Sequence, residues 1–140
     1  MNNVGFTYSG KDRLMTNTEG LLRSAAVLQV SSRTMQPMID FFVEQLGFSV
    51  GTKAGAGPWF VTLDRDGQTI MLNCKPALLN LSRKKGWAAY FWVSDIEAIY
   101  SEFVASGANL KGAIVEKPYG CREIVAIAPD SREIVFGQLL

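Results

Sequence analysis

A carboxylate and a valine two residues apart raise the question of chemistry. In "APDSREIVFGQ", residues 128 to 138, Glu133 and Val135 point to one face of a strand, because successive strand side chains alternate sides,. Glu133 can hold a donor group of a ligand or act as a base. It can equally pair with Arg122 or Arg132 at the sheet edge, since a lone buried carboxylate is costly. Val135 serves packing or an apolar ligand. Gln29 and Asn73 offer directional hydrogen bonds, or a polar lining solvated by water. Trp59, Trp87, Tyr90 and Trp92 offer aromatic faces that stack on a planar or cationic group, or else pack a core or a dimer interface. In "YGCRE", Arg122 near Tyr119 can clamp an anion, or bind Glu123 or Glu133 in a salt bridge.

Composition removes several classes of chemistry. The 140 residues contain no histidine, so Ser-His-Asp and Cys-His nucleophile systems and the commonest transition-metal ligand are excluded. The two cysteines, Cys74 and Cys121, are too far apart for a CxxC motif or a standard zinc site; they are expected to be reduced, partly buried thiols of a cytosolic protein. Fourteen basic and 13 acidic residues leave a net charge of +1, which argues against a nucleic-acid surface. The one dense basic run, Ser82-Arg83-Lys84-Lys85, is expected to be a solvated connector. Gly55 and Gly57 lack the GK[ST] signature of a phosphate loop. No segment has the length of a membrane span, and Asp12, Arg13 and Glu19 interrupt the first twenty residues,. The expectation is a cytoplasmic protein with neither membrane nor nucleic-acid partner.

The elements that would position these side chains occur twice. Residues 1 to 22 form an expected arm, and 23 to 140 a single domain. "SAAVLQVSS" reads as a strand. "TMQPMIDFFVEQLGF" reads as a helix, with Thr34 as N-cap, Pro37 in the first turn and Gly47 at the C-terminal stop. Strands follow near 48 to 53, 59 to 64 and 68 to 73, with Asp66-Gly67 as a hairpin turn. After the linker "KPALLNLSRKKG" the order repeats: "WAAYFWVS" as strand, "DIEAIYSEFVASG" as helix capped by Asp95 and stopped by Gly107, then strands near 110 to 116, 121 to 127 and 132 to 137. The repeat is about 63 residues and carries Val30 onto Val93,.

Alternation sorts the strand residues into two faces. Leu28, Val30, Ile70, Leu72, Phe91, Val93, Ile134 and Phe136 are bulky and apolar, as expected beneath the helices. The opposite set runs Ala25, Val27 and Gln29; Thr69, Met71 and Asn73; Ala88, Tyr90 and Trp92; Glu133, Val135 and Gly137. Its mixture of small, aromatic and polar types suits a cavity lining.

With "LQVSS", "FFVEQLGF", "DRDG", "FWVSDIEAIYSEFVASGANL", "YGCRE" and "APDSREIVFGQ" in place, the chain resembles the vicinal oxygen chelate superfamily from about residue 24 to 138. That superfamily includes glyoxalase I, bleomycin-resistance proteins and extradiol dioxygenases. The resemblance implies an α+β fold of two βαβββ modules, about 24 to 74 and 86 to 138, forming an open cup with the helices outside. It also implies a homodimer. Metal-dependent members hold a divalent ion with four cavity-facing side chains. The matching positions here are Ala25, Ala88, Met71 and Val135, none of which binds a hard divalent ion, and metal-dependent lyase or dioxygenase chemistry rests on that ion.

The leading expectation is therefore a metal-free, antibiotic-resistance-like binding protein. It would use no cofactor and sequester an aromatic or apolar small molecule. The contact set would be Gln29, Trp59, Asn73, Tyr90, Trp92, Tyr119, Arg122 and Glu133, with no catalytic residue or metal ligand assigned. The alternatives are a glyoxalase-like lyase or isomerase, a dioxygenase-type enzyme, and a structural dimer without ligand.

Overall fold

The first helix begins with two hydroxyls satisfying each other's backbone. In the computed structural model, which describes residues 21–75 and 86–140, the Ser31 hydroxyl accepts from the Thr34 amide (3.3 Å) and the Thr34 hydroxyl accepts from the Ser31 amide (3.2 Å). This reciprocal cap places the N-cap of α1 (Ser32–Asp40) at Ser31, three residues before Thr34, the expected cap. Pro37 consequently lies inside the helix rather than in its first turn, where it removes one backbone donor. Past Asp40 the helix widens into a π turn, Phe41–Gln45, closed by the Leu46 amide on the Phe41 carbonyl (3.2 Å). Phe41 and Phe42 are both buried there. Gly47 (φ 75°) releases the chain, and a Cβ at that position would meet the Arg65 guanidinium at 2.7 Å.

The first module comprises β1 (Ala26–Val30), α1, β2 (Ser49–Ala54), β3 (Phe60–Arg65) and β4 (Gln68–Cys74). The second comprises β5 (Trp87–Trp92), α2 (Ile96–Ala105), β6 (Val115–Lys117), β7 (Cys121–Ile127) and β8 (Glu133–Leu139). The sheet orders are β1-β4-β3-β2 and β5-β8-β7-β6. In each sheet the first strand pairs in parallel with the last and the other pairs are antiparallel. The fold is α+β, two βαβββ modules whose four-stranded sheets stay open. The expected arm at 1 to 22 lies outside the described residues except for 21 and 22, and most of the linker, with its basic run, is outside them too.

Most local signals act as their residues dictate. Asp66 and Gly67 both take positive φ (52° and 76°) between the paired Arg65 and Gln68, which matches the twist a two-residue hairpin needs. Asp95 caps α2 by accepting from Ala98 (3.0 Å). Gly107 ends it, with the Ala108 amide on the Phe103 carbonyl (2.9 Å), a Schellman-type closure. The strand expected near 110 to 116 is shorter. Leu110 makes one bridge to Ala126, Gly112 (φ 80°) turns the chain aside, and regular pairing begins only at Val115.

The helix-side strand faces merge into one core. Leu28, Val30, Ile70, Leu72, Ile134 and Phe136 are buried together with Met38, Phe42 and Phe103. Phe91 stacks on Phe136 (5.5 Å) and meets Phe48 of the first module (5.7 Å). Polar ties fasten the modules as well. Arg65 gives two hydrogen bonds to Glu102 (2.6 and 2.7 Å) and one to the Leu46 carbonyl (2.7 Å), while Arg132 reaches the Gln29 carbonyl (2.8 Å).

The Arg65 hydrogen bonds pull the Glu102 carboxyl below its ordinary value of 4.5 and raise Arg65. A lowered carboxyl supports the fold above that value and loses its contribution as pH falls through the folded one. Glu102 is half exposed, so the pair is screened; Glu102→Gln should cost about 0.5–1 kcal/mol at pH 7. Urea midpoints of wild type and variant should converge on acidification, and a gap that persists at low pH would rule the pair out as its source.

Candidate functional site

The second sheet's open face is built around β5. A register shift between Trp87↔Glu133 and Ala89↔Ile134 breaks the expected alternation. Ala88, expected on the open face, packs against the core instead. The shift carries Trp87 round to the side of Tyr90, ring centroids 5.4 Å apart, and Trp92 follows at 4.9 Å. The result is a file of three rings, Trp87, Tyr90 and Trp92, of which the two tryptophans are 55% and 63% exposed. Such amphipathic rings at the surface are available to stack on a planar partner.

Tyr90 leans across β8 from the middle of this file. Gly137 makes that possible, since a Cβ there would overlap the Tyr90 hydroxyl. The phenol reaches β7 and donates to Glu123 Oε2 (2.8 Å). Tyr119, on the turn before β7, donates to the same oxygen (2.6 Å). Glu123 is 1% exposed, and its other oxygen, Oε1, has no partner among the described residues. Burial first, then the hydrogen bond and charge of Glu123, push the Tyr90 phenol upward. Tyr119 is pushed up to about 12, chiefly by its hydrogen bond to Glu123.

The expected contact residues do not form one cluster. Tyr90, Trp92 and Tyr119 come together around Glu123. Gln29 and Asn73 lie opposite each other in the β1–β4 register on the first sheet, and Asn73 Nδ2 donates to Gln29 Oε1 (3.0 Å). Trp59 belongs to the β2–β3 hairpin, where its ring fills the space a Cβ at Gly55 would need. Arg122 has the strand parity of the core residues Ile124 and Ala126, so it points to the helix side and pairs with Glu97. That ion pair is the structural one of its two expected roles, made with Glu97 instead of Glu123 or Glu133. Glu133 also has a cation, but it is Lys111 (3.1 Å) rather than an arginine; Arg132 pairs with Asp130 (2.6 Å).

Glu123 is the residue that sequence reasoning missed as a site in its own right. The signal was available in "CREIVAI". Ile124 and Ala126 enter the core, which leaves Cys121, Glu123 and Val125 for the open face. Cys74 and Cys121 are free and buried, the former in the core.

A groove of about 840 Å³ runs along the edge of β5 between the β3–β4 turn and α2, lined by Tyr90 and Trp92 from the open face and by Phe91, Ile99, Arg65 and Glu102 among others. The face thus offers stacking surface, a concavity and a buried carboxylate. Among the described residues no three His, Cys, Asp or Glu side chains are grouped to hold a metal ion. No helix among them is long and apolar enough to cross a membrane.

This architecture is the fold found in solved glyoxalase-related and bleomycin-resistance proteins. No family model and no curated protein matches the chain. Among solved structures, TioX from Micromonospora sp. ML1 is similar, with 21% identity, a TM-score of 0.63, and 84% of this chain and 100% of that one covered. TnmS3, an antibiotic binding protein from Streptomyces sp. CB03234, shares 17% identity at a TM-score of 0.65, covering 87% and 100%. The bleomycin-binding protein of Streptomyces verticillus, solved with copper(II)-bleomycin, shares 17% at 0.65, covering 84% and 95%.

Near-ultraviolet phenolate absorbance checks the network. Tyr119 should ionise near pH 12 in the native protein, and Glu123→Gln should bring it down toward an ordinary phenol at about 10. A raised phenol supports the fold below its unfolded value and loses that support as pH rises through its folded one. Gly137→Ala should displace Tyr90 and lower its titration likewise; an unchanged titration curve in both variants would mean that neither phenol is held by Glu123.

Proposed function

We propose that the chain is a small-molecule binding protein. It takes an aromatic or apolar ligand against the open face of the second sheet without the help of a metal. The observation that carries this reading is the exposed file of Trp87, Tyr90 and Trp92 opening onto the groove along the edge of β5. Support comes also from two proteins of the same fold, one described as antibiotic binding and one as bleomycin binding. An antibiotic-sequestering role in the cytoplasm is the biological form of this reading. Tyr90, Trp92 and Tyr119 are the proposed contacts from the initial set, joined by Trp87. Gln29 and Asn73 provide a second, polar face, and Trp59 its rim.

The enzyme reading is the weaker one. Glu133, its candidate base, is held by Lys111. The superfamily's ligand positions carry Ala25, Ala88, Met71 and Val135, which offer no oxygen or nitrogen donor for a divalent ion. Stoichiometric metal retained through purification and released only by a chelator would overturn the metal-free assignment.

We infer further that two copies associate. Val27 on the first sheet's open face and Trp87, Trp92 and Leu139 on the second's are large apolar side chains left half or more exposed, more apolar surface than one strand face ordinarily leaves to water. Sedimentation equilibrium should return twice the chain mass of 15.4 kDa; a monomer at every concentration would overturn the dimer.

Calorimetric titration with acridine, planar and uncharged at pH about 8, tests the stacking face. Saturable binding is expected in wild type, and a loss of about tenfold in Trp92→Ala, the size of one aromatic contact. No saturable heat in wild type, or equal affinity in the variant, would sink the reading.

A further inference from the structure

Glu123 differs from the other carboxylates that make salt bridges in this structure. Glu97 has Arg122, Glu102 has Arg65, Glu133 has Lys111 and Asp130 has Arg132. Each of those carboxylates has a cation, and the first three sit beside solvent or at an element edge. Glu123 is 1% exposed, and among the described residues it has no cation at all. Its two hydrogen bonds both fall on Oε2, from Tyr90 and Tyr119. Oε1 is buried and has no partner among the described residues. A buried polar atom left without a partner costs free energy that a purely structural network would not leave uncovered. The arrangement is half complete.

The two phenols are not equivalent. Tyr90 lies over Gly137 and between Trp87 and Trp92, so it is fixed from three sides. Tyr119 is 56% exposed and sits on the short turn linking β6 to β7 beside Gly120 (φ 87°). Of the two, Tyr119 is the one that can leave, and its departure would uncover the carboxylate next to the aromatic file.

We propose that Glu123 is the anchor for a cationic or N–H-bearing nitrogen on a planar aromatic ligand, and that Tyr119 covers the carboxylate until such a group displaces it. The proposal rests on the stacking reading of this face and goes beyond it by naming the ligand class: an aromatic ring system carrying an amine, amidine or similar donor. The rings lie on the tryptophans and the nitrogen takes Oε1. Tyr90 stays on Oε2 and orients the carboxylate. A charged donor on a carboxylate gives a shorter and stronger hydrogen bond than a neutral pair, and the low-dielectric surroundings strengthen it further.

The experiment compares two probes of one ring system at pH about 8: acridine, uncharged, and 9-aminoacridine, a planar cation with an exocyclic nitrogen. Calorimetry should give 9-aminoacridine an affinity higher by about tenfold or more, the value of one charge-assisted hydrogen bond. Glu123→Gln should abolish the preference. Tyr119→Phe leaves the carboxylate in place and removes the hydroxyl that tethers the covering ring to Oε2, so it should tighten 9-aminoacridine severalfold; this variant also serves if Glu123→Gln does not fold. Equal affinities in wild type, a preference that survives Glu123→Gln, or an unchanged constant in Tyr119→Phe would each overturn the proposal. If acridine binds without any preference for its amine, only the anchor falls. If neither dye binds, the stacking face falls with it.

Discussion

A carboxylate buried on a sheet face with no cation beside it constrains everything around it. Glu123 needs donors from neutral groups, because none of the described lysines or arginines pairs with it. Two phenols supply them, and each imposes a demand of its own. Tyr90 starts on β5 and must cross the intervening β8, so β8 must be bare at the crossing. Gly137 is the residue there, and its lack of a side chain serves the phenol above it. Tyr119 must fold back from the turn before β7, which Gly120 at positive φ allows,. The register shift in β5 belongs to the same construction. It brings Trp87 against Tyr90, so the phenol is clasped by rings on both sides.

The two modules use one framework for unlike faces. Their helix sides are nearly interchangeable: Ile70 and Leu72 in β4 stand where Ile134 and Phe136 stand in β8, all buried in the common core. Their open sides differ. On the first sheet the pair opposite each other at the end of β1 and β4 is Gln29 and Asn73, which use their amides on one another. At the corresponding pair on the second sheet stand Trp92 and Gly137. One sheet therefore presents a self-satisfied amide pair, and the other a bare strand with an aromatic beside it. The functional asymmetry arises from side chains on equal backbones, which is how one fold carries unrelated sites.

Much of the fold could be read along the chain because it depends on local chemistry. Asp66-Gly67, Asp95 and Gly107 act within four residues of themselves, and the alternation of Leu28, Val30, Ile70, Leu72, Ile134 and Phe136 requires only a period of two. The errors arose where one residue changes the count or a tertiary partner decides. Thr34 has the right chemistry for a cap, yet Ser31 takes that place because the two hydroxyls satisfy each other. Ala88 was assigned to the open face by strict parity, and a single unpaired residue gave that place to Trp87. The salt-bridge partner of Arg122 is likewise set by tertiary structure: its parity sends it to the helix side, where Glu97 waits across 25 residues of sequence. Glu123 is legible by the same parity, but as a sequence feature it stands out only as a salt-bridge partner for Arg122, because its phenol donors lie on another strand and a turn.

Val135 links the fold to the site. The register sets it beside Tyr90 on one flank and Val125 on the other. It is fully buried although it lies outside the helix-side core. Its methyl groups exclude water from the floor between the aromatic file and β7, and an apolar floor strengthens every electrostatic contact made above it. The Glu123 carboxylate on the adjacent strand β7 is kept dry, is held by two phenols, and among the described residues has one oxygen left without a partner.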